Sequence, residues 1–344
     1  MIINMKSVIY KKLYNLIPEF AKKRFYSYVC NSMPISFGVE LTNICNASCS
    51  FCGYRFQKRK KGFIDINTFR KAIDDYCDIG GGDLSLTPTV GEPLNDKGLI
   101  DKIRYARSKK KIGTIWFYSN LIPLLQFDID EFLTSGLSCL KISTCIKDRD
   151  TYKNIYKVDC YDEVLENIIL LCERNEQLCN PVEIKLYLRI PKPFSEVKRS
   201  RDYIAISKYF KDKDVVFLDD SYDSWGGKIK EEDLPYGNKF YKISYDNDKE
   251  PCYELFRRVN ILCDGNVNVC VCRDLDAALK IGNINEENIL DIWKGKELIK
   301  LRKDWICGSI PKICNECQRY LPLSVFFERQ HKNIIRRFLK SKLI

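Results

Sequence analysis

Histidine is almost missing from this chain: its 344 residues include one, His331, in a basic tail. Imidazole metal sites and histidine general bases are thereby nearly excluded, and any metal must rest on other ligands. No run approaches the roughly 18 apolar residues of a membrane span. Internal repeats and low-complexity segments are also absent. Residues 1–15 scatter lysines and lack an apolar stretch ending at a small-residue cleavage site, so no export signal is read there. The chain does have 17 cysteines, and without an export signal these read as metal ligands and free thiols rather than disulfides. A reducing, cytoplasmic location is expected.

The net charge of +11 is carried by the ends. Residues 1–34 hold six Lys/Arg against Glu19 and residues 329–344 hold six against none, so the 294 residues between are neutral. A nucleic-acid enzyme would show a basic face on its body, and no nucleic-acid partner is expected. Near the first end Ile9, Leu13, Leu16 and Phe20 recur at helical spacing opposite Lys11, Lys12, Lys22 and Lys23. Near the second, Ile334, Ile335, Phe338 and Leu339 alternate with Arg336, Arg337 and Lys340. Such segments either cap a domain or meet an anionic membrane or a partner.

From Pro34 to about Phe217, apolar runs alternate with helical periodicity. Candidate strands are 35–41, 84–88, 112–119, 139–144, 182–190 and 215–218; candidate helices are 66–79, 97–109, 128–135, 160–178 and 196–210. Repeated strand-helix units argue an α/β fold with a parallel sheet, open or closed into a barrel. Residues 219–250 show weak periodicity and read as a long loop or linker. A hairpin follows, 258–262 and 267–271 around the turn Asp264-Gly265, then a helix at about 285–303.

Just after the first candidate strand lies Cys45-Asn46-Ala47-Ser48-Cys49-Ser50-Phe51-Cys52. Three thiolates on one short loop can hold three irons of a four-iron cluster, and the next cysteine is Cys77, so one iron stays open. A structural zinc would need paired C-x2-C knuckles and four ligands. The C-x3-C-x2-C spacing, with Phe51 before the last cysteine, resembles the signature of the radical S-adenosylmethionine (SAM) superfamily. The resemblance implies a partial (β/α)6 TIM-like barrel with the cluster loop at the carboxyl end of its first strand. It also implies a 4Fe-4S cluster that binds SAM, a 5'-deoxyadenosyl radical that takes a substrate hydrogen, and a flavodoxin- or ferredoxin-type reductant.

Two further motifs extend the resemblance. Thr89-Val90-Gly91-Glu92-Pro93-Leu94 is similar to the family's Gly-Gly-Glu-Pro motif, with Val90 in the first glycine's place; it implies Gly91, Glu92 and Pro93 as SAM contacts. Ile142-Ser143-Thr144 resembles the family's Ser-x-Asp segment, with Cys145 for the aspartate, and implies Ser143 as a ribose or carboxylate contact. Asn120 and Arg189, closing the third and fifth strands, would point to the mouth. Asp219, Asp220 and the Trp225-Gly226-Gly227 turn could line the substrate cavity.

The carboxyl third holds a second constellation. Cys252-x12-Gly265-x4-Cys270 followed by Cys314-x2-Cys317 resembles the first part of a SPASM/twitch extension. With no cysteine after Cys317, it implies one auxiliary 4Fe-4S cluster on Cys252, Cys270, Cys314 and Cys317. Cys263 and Cys272 are rivals of Cys270, and a structural zinc on four thiolates is the alternative. Cys30, Cys77, Cys139, Cys145, Cys160, Cys172, Cys179 and Cys307 read as core thiols.

The expected organisation is therefore a basic segment at 1–34, the barrel at 35–218, a linker at 219–250, the auxiliary-cluster domain at 251–320 and a basic tail at 321–344. The expected activity is oxidation of an alcohol of a sugar or aminocyclitol, the auxiliary cluster taking an electron. The first rival is a maturase of a ribosomally made peptide, for which 34 residues ahead of the barrel leave peptide binding to a separate partner. The second is a non-enzymatic iron-sulfur electron carrier.

Overall fold

The computed structural model describes residues 30, 32–190, 193–218, 222–240, 250–270 and 273–323. Both basic amphipathic segments up to residue 29 and from residue 324, together with Asp219, Asp220 and Cys272, lie outside the described residues.

Six strands run parallel in chain order: β1 (Ser36–Val39), β2 (Gly82–Ser85), β3 (Ile112–Ser119), β4 (Cys139–Thr144), β5 (Glu183–Leu188) and β6 (Val215–Phe217). Period-2 alternation makes their two faces. Phe37, Val39, Leu84, Ile115, Phe117, Leu140, Ile142, Leu186 and Leu188 are buried against the helices. Trp116, Tyr118, Ser143, Tyr187 and Arg189 take the opposite phase. The crossover helices are α1 (Ile66–Asp78), α2 (Leu99–Arg107), α3 (Ile129–Leu133), α4 (Arg149–Tyr156), α5 (Tyr161–Gln177), α6 (Phe194–Lys198) and α7 (Arg201–Ser207). The first shows the cause most plainly. Asp65 caps it by accepting from the Asn67 and Thr68 amides, and Phe69, Ala72, Ile73 and Tyr76 put one apolar stripe on the sheet. Such a cap stabilises by about 0.5–2 kcal/mol. The architecture is a partial (β/α)6 barrel.

The hairpin does not stand apart from it. Strand β7 (Arg258–Ile261) pairs parallel to β1 with Ser36 opposite Arg258 and Val39 opposite Ile261. β8 (Asn266–Asn268) and β9 (Lys280–Asn283) continue antiparallel, giving one nine-stranded sheet in the order β6-β5-β4-β3-β2-β1-β7-β8-β9. The helix expected at 285–303 is broken at Gly295 into α8 (Ile289–Lys294) and α9 (Lys296–Ile306), and α10 (Lys312–Asn315) carries the last C-x2-C. Cys179 and Cys307 are exposed rather than core thiols, because each lies just past the end of a helix, α5 and α9. Among the described residues no helix is long and apolar enough to cross a membrane.

Candidate functional site

The loop after β1 is fixed before its cysteines begin. Thr42 Oγ1 donates to Gly62 O at 2.8 Å, Asn43 Nδ2 donates to Lys60 O at 3.0 Å, and the Gly62 amide donates to Asn43 Oδ1 at 2.9 Å. Under the loop, Glu40 is fully buried and accepts both terminal nitrogens of Arg59, at 2.8 and 2.9 Å. The same guanidinium donates to Leu275 O, and the Cys263 amide donates to Glu40, so this pair joins β1, the loop's return and the carboxyl extension. The Cys263 thiol also lies against Glu40 and does not line the cavity shared by Cys252, Cys270, Cys314 and Cys317.

Cys45, Cys49 and Cys52 open into one cavity of about 500 Å³ at the carboxyl ends of β2 to β5. Burial pushes all three thiols up, Cys45 to about 12 with the nearby Glu92 adding to the effect, and Cys49 well above the ordinary range. Bare thiolates there would be poorly solvated, whereas cationic iron would compensate them.

The predicted cofactor residues share this cavity, apart from Pro93, which is buried at the first position of a 3-10 turn behind it. Gly91 has φ +137°, and a Cβ there would lie 2.4 Å from Thr42 O, so only glycine lets this turn approach the cluster loop. Val90 needs no such freedom, since its side chain packs with Tyr222, Trp225, Ile229, Leu234 and Leu275. Glu92 is turned inward. Its carboxylate accepts from Ser119 Oγ at 2.7 Å, the Asn120 amide at 2.7 Å and the Leu94 amide at 3.1 Å, tying the turn to the end of β3. Burial raises its pKa to about 7 despite these donors. Asn120 Nδ2 reaches Asn46 Oδ1 on the cluster loop at 2.8 Å. Ser143 Oγ lies 3.4 Å from the hydroxyl of buried Tyr156, and the Arg189 guanidinium lies 4.0 Å from the Phe51 ring centroid.

The mouth holds a group that periodicity could not reveal. Asp223, in the segment expected as a linker, is 3% exposed and accepts two bonds from Arg273 and one, at 3.1 Å, from Arg319. Burial pushes its carboxyl up, but the arginines outweigh this and hold it below the usual range. Trp225 donates from Nε1 to Phe51 O at 2.8 Å and lies 4.3 Å beneath the Arg273 guanidinium. A Cβ on Gly53 would meet the Trp225 ring at 2.7 Å, so this segment packs directly on the cluster loop. Trp225, Asp223, Arg273 and Arg319 all line the cavity, while Gly226 and Gly227 do not. The three charged members are far apart in the chain, at positions 223, 273 and 319, so no local pattern marks them.

A second, smaller cavity of about 30 Å³ is lined by Cys252, Cys270, Cys314 and Cys317, with Glu254, Leu255, Leu279, Trp305, Arg319 and Tyr320. Cys252 and Cys314 are pushed up by burial. Among the described residues no three His, Cys, Asp or Glu side chains converge as a single metal ion requires. Thiols spread around a cavity suit a cluster, whose irons and sulfides stand between them, and sulfur-only donor sets select iron-sulfur chemistry or zinc. The residues present therefore fit a cluster at each cavity. Arg319 lines both.

The SPASM family, described as an iron-sulfur cluster-binding domain, matches residues 252–318. A GTP 3',8-cyclase of Clostridium perfringens is 27% identical over 164 residues, which are 46% of this chain and 47% of that protein. The chain spans about half the length of this cyclase and of its counterpart from a second Clostridium perfringens strain. In fold it is similar to SuiB of Streptococcus suis bound to precursor peptide SuiA, with TM-score 0.57 and 13% identity over 90% of this chain and 76% of SuiB. It is likewise similar to BtrN in complex with AdoMet and 2-DOIA, with TM-score 0.52 and 16% identity over 85% of this chain and 96% of BtrN.

Proposed function

The chain is a radical SAM protein with a C-terminal SPASM iron-sulfur domain, and on that premise we propose that it is an oxidoreductase that removes two electrons from a carbon bearing a hydroxyl, on a sugar or aminocyclitol. When bound, SAM and the first cluster supply a hydrogen-abstracting radical and the second cluster supplies an electron acceptor. Cys45, Cys49 and Cys52 would hold the first, and Cys252, Cys270, Cys314 and Cys317 the second.

The protein's own residues position and enclose. Gly91 brings the turn against the cluster loop, and Asn120 fixes the loop's Asn46, so the SAM-binding wall is held from two strands. Ser143, Arg189 and Phe51 face the same space and would contact SAM. Tyr222 and Trp225, packed on Val90, exclude water from that side. Arg319, with Asp223, would orient a polar substrate near the second cavity.

The observation that carries this reading is the wall shared through Arg319, which sets the substrate cavity beside the four-thiol cavity. A carbon radical beside a hydroxyl is a strong reductant once the hydroxyl proton leaves, so an adjacent acceptor turns abstraction into oxidation. The likeness to BtrN, whose structure holds AdoMet and the small molecule 2-DOIA, supports a small substrate. The likeness to SuiB, whose structure holds a precursor peptide, supports peptide modification as a second reading.

The test is anaerobic turnover of deuterated candidate substrates with a flavodoxin- or ferredoxin-type reductant. Cys314→Ala and Cys317→Ala should still move deuterium into 5'-deoxyadenosine while forming little of the product two daltons lighter. Unchanged product yield from a variant shown to lack the second cluster would make that cluster structural and would favour the peptide reading.

A further inference from the structure

The wall of the four-thiol cavity contains a donor with nothing to donate to. Trp305, on α9, is 2% exposed and lies parallel to Tyr320, with ring centroids 6.2 Å apart and planes 9° from parallel; both rings line the cavity. Its Nε1–H is buried and meets no acceptor among the described residues. The other two buried indoles are satisfied by carbonyls, Trp225 by Phe51 O and Trp293 by Ser32 O, each at 2.8 Å. Buried indole N–H groups usually find a partner, so the exception asks for one that the described residues do not supply. The space Trp305 faces is lined by four cysteines, Glu254, Leu255, Leu279, Arg319 and Tyr320, and the Glu254 carboxylate, 3.3 Å from Arg258 Nε, accepts nothing from Trp305. Tyr320, the polar ring beside it, already directs its hydroxyl to Glu250 O at 2.8 Å.

We propose that Trp305 donates its Nε1–H to a sulfur of the auxiliary cluster and so sets that cluster's reduction potential. The proposal rests on the reading that the four thiols hold an iron-sulfur cluster. A hydrogen bond to sulfur stabilises the reduced form, which carries more negative charge, and raises the potential. Trp305 touches neither substrate nor SAM in this arrangement. It acts through the cluster, as a positioning residue that makes the auxiliary centre easier to reduce than it would be without the bond.

The first measurement needs no mutation. Holoenzyme grown with indole-¹⁵N tryptophan is reduced anaerobically, and pulsed electron paramagnetic resonance is recorded on the signal that does not change when SAM is added. A ¹⁵N coupling on that signal is expected, and it should vanish in Trp305→Phe. No coupling in the labelled wild-type protein overturns the proposal, whether an ordered water or nothing meets the N–H. The second measurement is the midpoint potential of the same signal. Trp305→Phe should shift it negative, to a roughly tenfold smaller reduced-to-oxidised ratio at a fixed potential, which is 59 mV for a one-electron couple. An unchanged midpoint in a variant that retains the cluster overturns the tuning role. If instead the midpoint shifts as expected while Cys314→Ala still forms full two-electron product, the electron-acceptor reading of the previous subsection fails and the assignment of Trp305 stands.

Discussion

Replacing Arg59 by methionine leaves Glu40 as a fully buried carboxylate with its paired guanidinium gone. The Arg59 side chain is 8% exposed and that of Glu40 0%, so water cannot stand in for the lost partner. Breaking a buried pair from one side costs about 3–5 kcal/mol, since the remaining charge is uncompensated. With unfolding entropy of about 2.1 cal/mol/K per residue, a chain of 344 residues should lose about 4–7 °C in melting temperature. The double variant Glu40→Gln, Arg59→Met removes the stranded charge while keeping an amide oxygen for the Cys263 amide, and it should recover most of the loss. Because Arg59 also braces the return of the first cysteine loop, the single variant should retain less iron at Cys45, Cys49 and Cys52 than at the carboxyl-terminal thiols. Differential scanning calorimetry of anaerobically reconstituted protein, with iron counted before and after desalting, measures both. A loss under about 1 kcal/mol, or a double variant no more stable than Arg59→Met, would refute the claim that this pair is a buried, coupled bridge.

Glu92 has a folded pKa of about 7 against an ordinary value of 4.5. The unfolded chain therefore loses this proton first, and stability falls as pH rises from about 4.5 to about 7, by up to ~3 kcal/mol. Urea titrations across that range should show the decline, and Glu92→Gln should flatten it; an equal slope in both proteins would assign the effect elsewhere. Gly91→Ala puts a Cβ 2.4 Å from Thr42 O at φ +137°. The strain of about 1–3 kcal/mol should open the turn and weaken SAM binding roughly tenfold by equilibrium dialysis, and wild-type affinity would show that the turn does not bear on SAM.

Sequence pattern located β3 and β4 to the residue, the apolar signal coming from Ile115-Trp116-Phe117-Tyr118 in the first and from Leu140 and Ile142 in the second. Strand β9 was invisible, since Lys280-Ile281-Gly282-Asn283 offers one apolar side chain and exists as a strand only because β8 is already in place. Helix α4 was missed for a similar reason, being short and largely polar outside Tyr152, Ile155 and Tyr156. Cysteine spacing, by contrast, is local, and the loop at Cys45–Cys52 and the knuckle at Cys314 and Cys317 were legible at once. Choosing among Cys263, Cys270 and Cys272 was not a local question. Cys270 lies with Cys252, Cys314 and Cys317, while Cys263 lies against Glu40. The linker expectation misjudged residues 222–240, whose Tyr222, Trp225, Ile229 and Leu234 find their apolar partners at Val90 and Leu275. Asp223, Arg273 and Arg319 were illegible because each is an ordinary surface residue until the fold brings the other two to it.

The parallel pairing of β1 with β7 has a consequence for how the chain is made. Ser36 and its partner Arg258 are separated by 222 positions. At about 5–20 residues per second, β1 leaves the ribosome roughly 10–40 s before the strand that completes it. For that interval β1 has β2 on one side and an unpaired edge on the other, and Glu40 waits for the Cys263 amide of the extension. The neighbouring thiols at Cys45, Cys49 and Cys52 are thus presented on a half-built wall while synthesis continues. The setting around Cys45, Cys49 and Cys52 is consequently complete only after translation has delivered the hairpin, and a nascent chain stalled before residue 258 would present these thiols beside a Glu40 that lacks the Cys263 amide.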